Sequence, residues 1–210
     1  LPRERERAYS LIRSQVEQGR QAFIIYPLVE ETEKTEARAA VEEYTRLRSE
    51  QFPRLKLGLL HGRMHPDEKD EVMEHFRDGE YNILVSTSVI EVGVDVPNAT
   101  VMLIEGANRF GLAQLHQLRG RVGRSHHRAY AYLLVPDRRT LTEDARKRLE
   151  AIESLEELGA GFTLASHDLE IRGAGELLGE TQSGMIDEVG FTLYSELLNR
   201  AVQSLQAGRL

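Results

Sequence analysis

The sequence predicts an α/β fold: a mainly parallel sheet covered by helices on both faces. Two observations carry this reading. Near-continuous apolar runs of strand length, such as AFIIYPLV, YNILVST and VMLIEG, recur up to residue 136. Stretches with apolar residues at helical spacing separate them. A third observation divides the chain. After Pro136 the strands cease, and helical patterns with one glycine-rich interruption take over.

The elements follow in order. Residues 3–19 place Ala8, Leu11, Ile12 and Val16 at helical spacing and end at Gly19, a residue suited to a helix C′ position. AFIIYPLV is too short for a helix between breakers, so it reads as a buried strand ended by Pro27. Residues 31–51 carry Ala37, Val41, Tyr44 and Leu47 on one face of an amphipathic helix. LKLGLL at 55–60 reads as a strand, followed by the turn HGRM. Pro66 suits the first turn of a helix running to about Arg77, with Val72, Met73 and Phe76 inward. YNILVST and VMLIEG are buried strands, and GLAQLHQLRG is a short helix. RAYAYLLVP is a strand on which Tyr130 and Tyr132 alternate as core or sheet surface. Beyond Pro136, residues 142–157 form a helix ending at Gly159, and a second short helix covers 162–170. RGAGELLGETQSG is a loop or broken helix, and 190–206 a final helix.

The chain has 210 residues, enough to bury a real core, with 40% hydrophobic and 29% charged residues, ordinary values for a soluble globular protein. No apolar run approaches the ~20 residues that span a bilayer, and the opening LPRERERAYS lacks the apolar stretch of a signal peptide. Cysteine is absent, which excludes disulfides and thiolate metal sites and fits a cytosolic protein. Net charge is −7. It argues against a wholesale nucleic-acid coat, but its distribution is uneven. From Gly106 to Pro136 there is no Asp or Glu, while Arg109, Arg119, Arg121, Arg124 and Arg128 and three histidines fall there. A basic zone in an acidic chain is a local device.

Two stretches carry chemistry. STSVIEVGVDVP, residues 86–97, leaves a buried strand with Ser86, Thr87 and Ser88, then Glu91, Gly93 and Asp95. Strand-end hydroxyls bond phosphate oxygens or turn the backbone on itself. Glycine admits close backbone approach, and an aspartate accepts from ribose hydroxyls. QLRGRVGR, residues 117–124, alternates long cations with glycines. Arginine forks stay charged at working pH and suit phosphate, above all a phosphoryl transition state. Each stretch alone also reads as an ordinary capped or salt-bridged turn. Parallel sheets place ligand loops beyond the carboxyl ends of strands, which marks 61–65, 86–98 and 105–110.

Together and in this order, the two stretches resemble motifs V and VI of superfamily-two helicases and translocases. AFIIYP and LLHGRM resemble the motifs just before them. The resemblance implies the second RecA-like (P-loop NTPase-type) domain of such a motor, in which ATP and Mg²⁺ lie in a cleft shared with a first RecA-like domain. By position, Arg121 and Arg124 match the arginine fingers, and Gln117 opens the motif. Gly93 and Asp95 match the nucleotide-facing positions of motif V, with Glu91 between the two ligands. Ser86, Thr87 and the turn of His61, Gly62 and Arg63 match positions facing the nucleic-acid backbone.

VIEVGVDVPNATVMLIEGANRFGLAQLHQLRGRVGR narrows the resemblance to the RecG and Mfd branch of DNA translocases. LEIRGAGELLGETQSG is similar to the translocation (TRG) motif of that branch, in which a helical hairpin and the following loop couple ATP state to movement on duplex DNA. Arg148, Arg172 and Gln182 match its working polar residues. The implied division is 1–137, the helicase C-terminal domain, and 138–210, the translocation module. Residues up to about 105 look more RecG-like, and those from SHHRAYAYLLVP onward more Mfd-like. A chimera, a designed sequence and an unusual natural relative would each give that change. The branch implies double-stranded or branched DNA as partner and a bacterial, cytoplasmic setting without a membrane. Mfd-like kinship adds RNA polymerase and excision-repair proteins.

No GxxxxGK[ST] occurs, so no phosphate-cradling loop is present, and no DExx-type acidic motif follows a strand to hold Mg²⁺. The expectation is a motor half without ATPase activity of its own. A non-catalytic DNA- or protein-binding regulatory module is the alternative. His61 with His65, and His126 with His127, lack a third ligand at metal spacing, so no metal site is expected. Asp168 and Glu170 suit a helix end better than a catalytic pair.

Overall fold

Five parallel strands, in the order β2-β3-β1-β4-β5, form one sheet: β1 (Gln21–Tyr26), β2 (Leu57–Leu60), β3 (Ile83–Thr87), β4 (Ala99–Ile104) and β5 (Tyr130–Leu133). The computed structural model describes residues 2–27, 33–87, 96–123 and 125–154. Two compact units divide the chain, residues 1–154 and 155–210, and the described residues all fall in the first. The expected helices at 162–170 and 190–206, and the glycine-rich stretch between them, lie outside the described residues.

Apolar alternation builds the two faces of the sheet. Ala22 and Ile24 of β1 point to one side, with Ile83, Val85, Val101 and Leu103, and meet Ala8, Tyr9 and Ile12 of α1 (Pro2–Glu17). Phe23 points to the other side and packs edge-on against Phe76 of α3 (Pro66–Arg77), ring centres 5.0 Å apart. With both faces covered, every residue of β3 and β4 is buried. That explains why their sequences run apolar without polar alternation.

The helix expected over 31–51 changes geometry within that span. Its α-helical part, α2, is Glu33–Arg46, and Leu47–Gln51 continues as a π-helical turn. The Phe52 N–H donates to the Leu47 carbonyl at 2.8 Å. The wider turn sends both Leu47 and Phe52 into the core, where Phe52 meets the Tyr9 ring edge-on at 5.3 Å. Val72, expected inward, is half-buried, while Met73 and Phe76 are fully inside.

The last part of the first unit packs around the carboxyl end of β4. A 3₁₀ turn, Ala107–Arg109, leads into α4 (Leu112–Arg119), and α5 (Glu143–Ser154) packs against both. At the opposite edge, Gln21 Nε2 donates to the carbonyls of Phe76 and Tyr81 (2.6 and 2.8 Å), and Asn98 Nδ2 donates to the Gly19 carbonyl at 2.9 Å. These bonds pin the starts of β1 and β4 to each other and to the end of α3.

Candidate functional site

The sequence-selected residues divide between the two ends of the sheet. At the carboxyl edge, His61, Gly62 and Arg63 leave β2 in a tight turn closed by the Met64 N–H on the His61 carbonyl, 3.2 Å. The His61 N–H in turn donates to Met64 Sδ at 3.4 Å. This pins the turn from both sides and leaves Gly62 and Arg63 exposed. The Glu68 carboxylate accepts from the His65 N–H at 2.8 Å and starts α3. Ser86 and Thr87 end β3 on the same edge, but both are buried, and the Ser86 hydroxyl donates to the Thr87 carbonyl at 2.7 Å. Of the two expected uses of a strand-end hydroxyl, Ser86 adopts the local backbone bond.

Also on this edge, the carboxylate of Glu105, which is buried, is held bidentately by Arg5 of α1 (Nε to Oε1 3.0 Å, Nη2 to Oε2 2.9 Å). Hydrogen bonding to Glu105 raises the Arg5 guanidinium above its ordinary range. Nearby, burial pushes the Tyr26 phenol well up, and its hydroxyl donates to Glu43 at 3.2 Å. Gly106 follows in a left-handed conformation, φ +57°; a Cβ there would come within 3.1 Å of Pro27 Cγ. Arg148 of α5 donates from Nη2 to the Asn108 carbonyl at 3.3 Å. This translocation candidate is therefore tied to the turn that begins α4.

The arginine-rich stretch lies at the other end. α4 carries the chain away from the carboxyl edge, its eight residues spanning ~12 Å, with Leu112, Leu115 and Leu118 buried. Gln117 is exposed on it. Beyond it, the Arg121 N–H donates to the Leu118 carbonyl at 3.0 Å, and Gly123 turns the chain at φ +80°. A Cβ at Gly123 would sit 3.3 Å from that of Ala129, just before β5 begins. Only Gly123 of the two motif glycines needs its freedom, since Gly120 is helical at φ −68°. The rings of His126 and His127 are 4.0 Å apart. Burial, then the positive charges of Arg20 and His126, lower the His127 pKa. Arg20 stands just before β1, with Nη1 donating to Asn98 Oδ1 at 3.0 Å. The described residues 120–123 and 125–127 thus sit at the amino edge of the sheet, although parallel sheets direct attention to the carboxyl edge.

Glu91, Gly93, Asp95, Arg124, Arg172 and Gln182 lie outside the described residues. Val96 is buried where β4 starts, its carbonyl accepting from the Ala99 N–H at 2.9 Å. Sequence reasoning missed Arg5, Glu105 and Arg20. Arg5 and Glu105 meet across 100 positions, and no local pattern marks such a pair. Among the described residues no group of three His, Asp or Glu is placed to hold a metal ion, and no helix is long and apolar enough to cross a membrane.

A five-stranded parallel sheet of this order, covered by helices, is the RecA-like fold of a helicase C-terminal domain. The chain belongs to the family of the helicase conserved C-terminal domain, whose model matches residues 4–126. Its relatives include the transcription-repair-coupling factor of Escherichia coli (strain K12), 54% identical over 191 residues, 91% of this chain and 16% of that protein. The ATP-dependent DNA helicase RecG of Synechocystis is 52% identical over 185 residues, 88% of this chain and 22% of that protein. Among solved structures, RecG bound to a three-way DNA junction matches with a TM-score of 0.67 at 49% identity, covering 85% of this chain and 22% of that one. Domain 2 of the Mss116p DEAD-box helicase, at 20% identity and a TM-score of 0.50, shares the fold alone. The chain spans less than a quarter of each of these bacterial relatives.

Proposed function

We propose that this chain is the C-terminal motor half of an ATP-dependent double-stranded DNA translocase or helicase acting in DNA repair or recombination. The observation that supports it most is the separation of the two edges. The exposed His61–Arg63 turn suits a phosphate backbone at one edge, and the Arg121 turn suits a nucleotide at the other. A motor needs two such faces joined by a rigid element, and α4 runs between them. Ser86 and Thr87, being buried, would act by shaping the strand end.

ATP, with Mg²⁺, fits the amino edge. Arg20, Arg121, His126 and His127 gather there, and the sequence from Gly106 to Pro136 holds no acid to repel a triphosphate. Bound ATP supplies the phosphoryl group whose transfer releases energy. This chain contributes Arg121 and Arg124 as charge-stabilising forks, Gln117 beside them, and Gly93, Asp95 and Glu91 as nucleotide contacts. The first RecA-like domain supplies the phosphate loop and the metal-holding acids. Residues 138–210, with Arg148, Arg172 and Gln182, serve as the translocation module that follows in sequence the helicase domain of residues 1–137. Duplex or branched DNA is the partner, joined by RNA polymerase and excision-repair proteins if the parent protein is a coupling factor, in a bacterial cytoplasm.

Two experiments test this. The purified chain should hydrolyse no ATP above background with or without DNA, and should gain DNA-stimulated hydrolysis when joined to an N-terminal P-loop domain. Hydrolysis by the chain alone would overturn the reading, and no gain on joining would favour a non-catalytic binding module. In the full-length motor, Arg172→Ala should leave ATP turnover near normal and stop DNA movement in a triplex-displacement assay. Equal loss of both would move Arg172 to the nucleotide side.

A further inference from the structure

We propose that Arg5 and Glu105 form a positioning clamp that sets where α4 presents the arginine turn; this rests on the reading of Arg121 as a nucleotide-facing residue. Glu105 is buried and gives both carboxylate oxygens to the Arg5 fork. Its own N–H donates to the Ile25 carbonyl at 2.8 Å, so the residue is fixed from main chain and side chain together. Immediately after it the backbone has little freedom. Gly106 is left-handed against Pro27, the Ala107 N–H donates to the Leu134 carbonyl at 2.9 Å, and the Asn108 carbonyl accepts from Arg148. Three residues after Asn108, Gly111 leads into α4, its N–H donating to Gln114 Oε1 at 3.0 Å. A single buried carboxylate therefore fixes the pivot from which a short, well-packed helix runs to Arg121.

The clamp also joins the pivot to α1, the helix that leads into the sheet. A shift of α1 along its axis pulls on Glu105 through two hydrogen bonds that share one rigid fork, and a fork resists rotation as a point charge does not. Glu105 is thus a link by which displacement at the start of the chain reaches the arginine turn at the far edge. Without Arg5 its carboxylate would remain buried and uncompensated, and the turn would shift to hydrate it.

The test uses the full-length motor, with Glu105→Gln, Arg5→Gln and Arg5→Lys measured beside Arg121→Ala. A misplacement near 1 Å at a reacting group costs on the order of 10²-fold, so Glu105→Gln and Arg5→Gln should lower kcat for ATP roughly ten- to a hundredfold. KM for ATP and DNA affinity should hold within about twofold. Arg5→Lys keeps the charge without the fork and should fall between wild type and Arg5→Gln. Arg5 is half-exposed, so its variants give the reading if Glu105→Gln does not fold. A lowered thermal midpoint with unchanged kcat overturns the clamp and leaves a structural ion pair. A matching rise in KM overturns it as well. Loss of turnover in Arg121→Ala with full turnover in the clamp variants defeats the clamp alone; full turnover in all four defeats the reading of Arg121 and the clamp with it.

Discussion

Replacing Arg121 by alanine in the full-length motor is expected to lower ATP turnover by about 10³-fold, the magnitude typical of an arginine finger. The side chain follows α4, whose buried leucines fix its direction, and precedes the left-handed turn at Gly123. Arg121 is half-buried and lies beyond the end of the helix, outside the buried core. The variant should therefore keep its thermal midpoint and its far-UV spectrum while losing turnover. Single-turnover hydrolysis at saturating ATP and DNA measures the effect. A loss smaller than tenfold would remove Arg121 from the nucleotide site.

Phe76→Ala should cost about 3–5 kcal/mol of stability, the range for truncating a buried phenylalanine. Phe76 is completely buried and stacks edge-on with Phe23 across the sheet face that α3 covers. Its carbonyl also accepts from Gln21, which anchors the start of β1. The cavity would thus open beside the bonds that align the amino edge. Urea denaturation of the chain, followed by circular dichroism, should give a much lower midpoint than wild type. A change below about 1 kcal/mol would mean that α3 repacks freely and that the sheet face does not rely on this ring.

Much of this architecture is legible in the sequence because burial on both sheet faces leaves a plain mark. β1, β3 and β4 were marked by apolar runs, and α3 by Pro66 at its start, with the helix ending at Arg77 as its pattern predicts. The π-helical turn at Leu47–Gln51 was not legible, because its apolar spacing also fits a regular helix and only the pull of Phe52 into the core separates them. The arginine turn was recognisable by composition, but its edge was not. Its placement follows from α4 running back along the sheet before the parallel β5, a topological fact with no local signature. The burial of Ser86 and Thr87 was hidden for a similar reason: a strand end rich in hydroxyls looks polar until its neighbours are known.

In the proposed function, opposite edges of one sheet serve two ligands. Equilibrium binding of fluorescent duplex DNA to the Arg63→Ala and Arg121→Ala motors, compared with wild type across a salt series, tests it most directly. Loss of one phosphate contact should weaken the Arg63→Ala motor and lower its salt slope by about one, while Arg121→Ala binds DNA as wild type does. Equal weakening in both variants, or weakening in Arg121→Ala alone, would place DNA at the arginine edge and contradict the account.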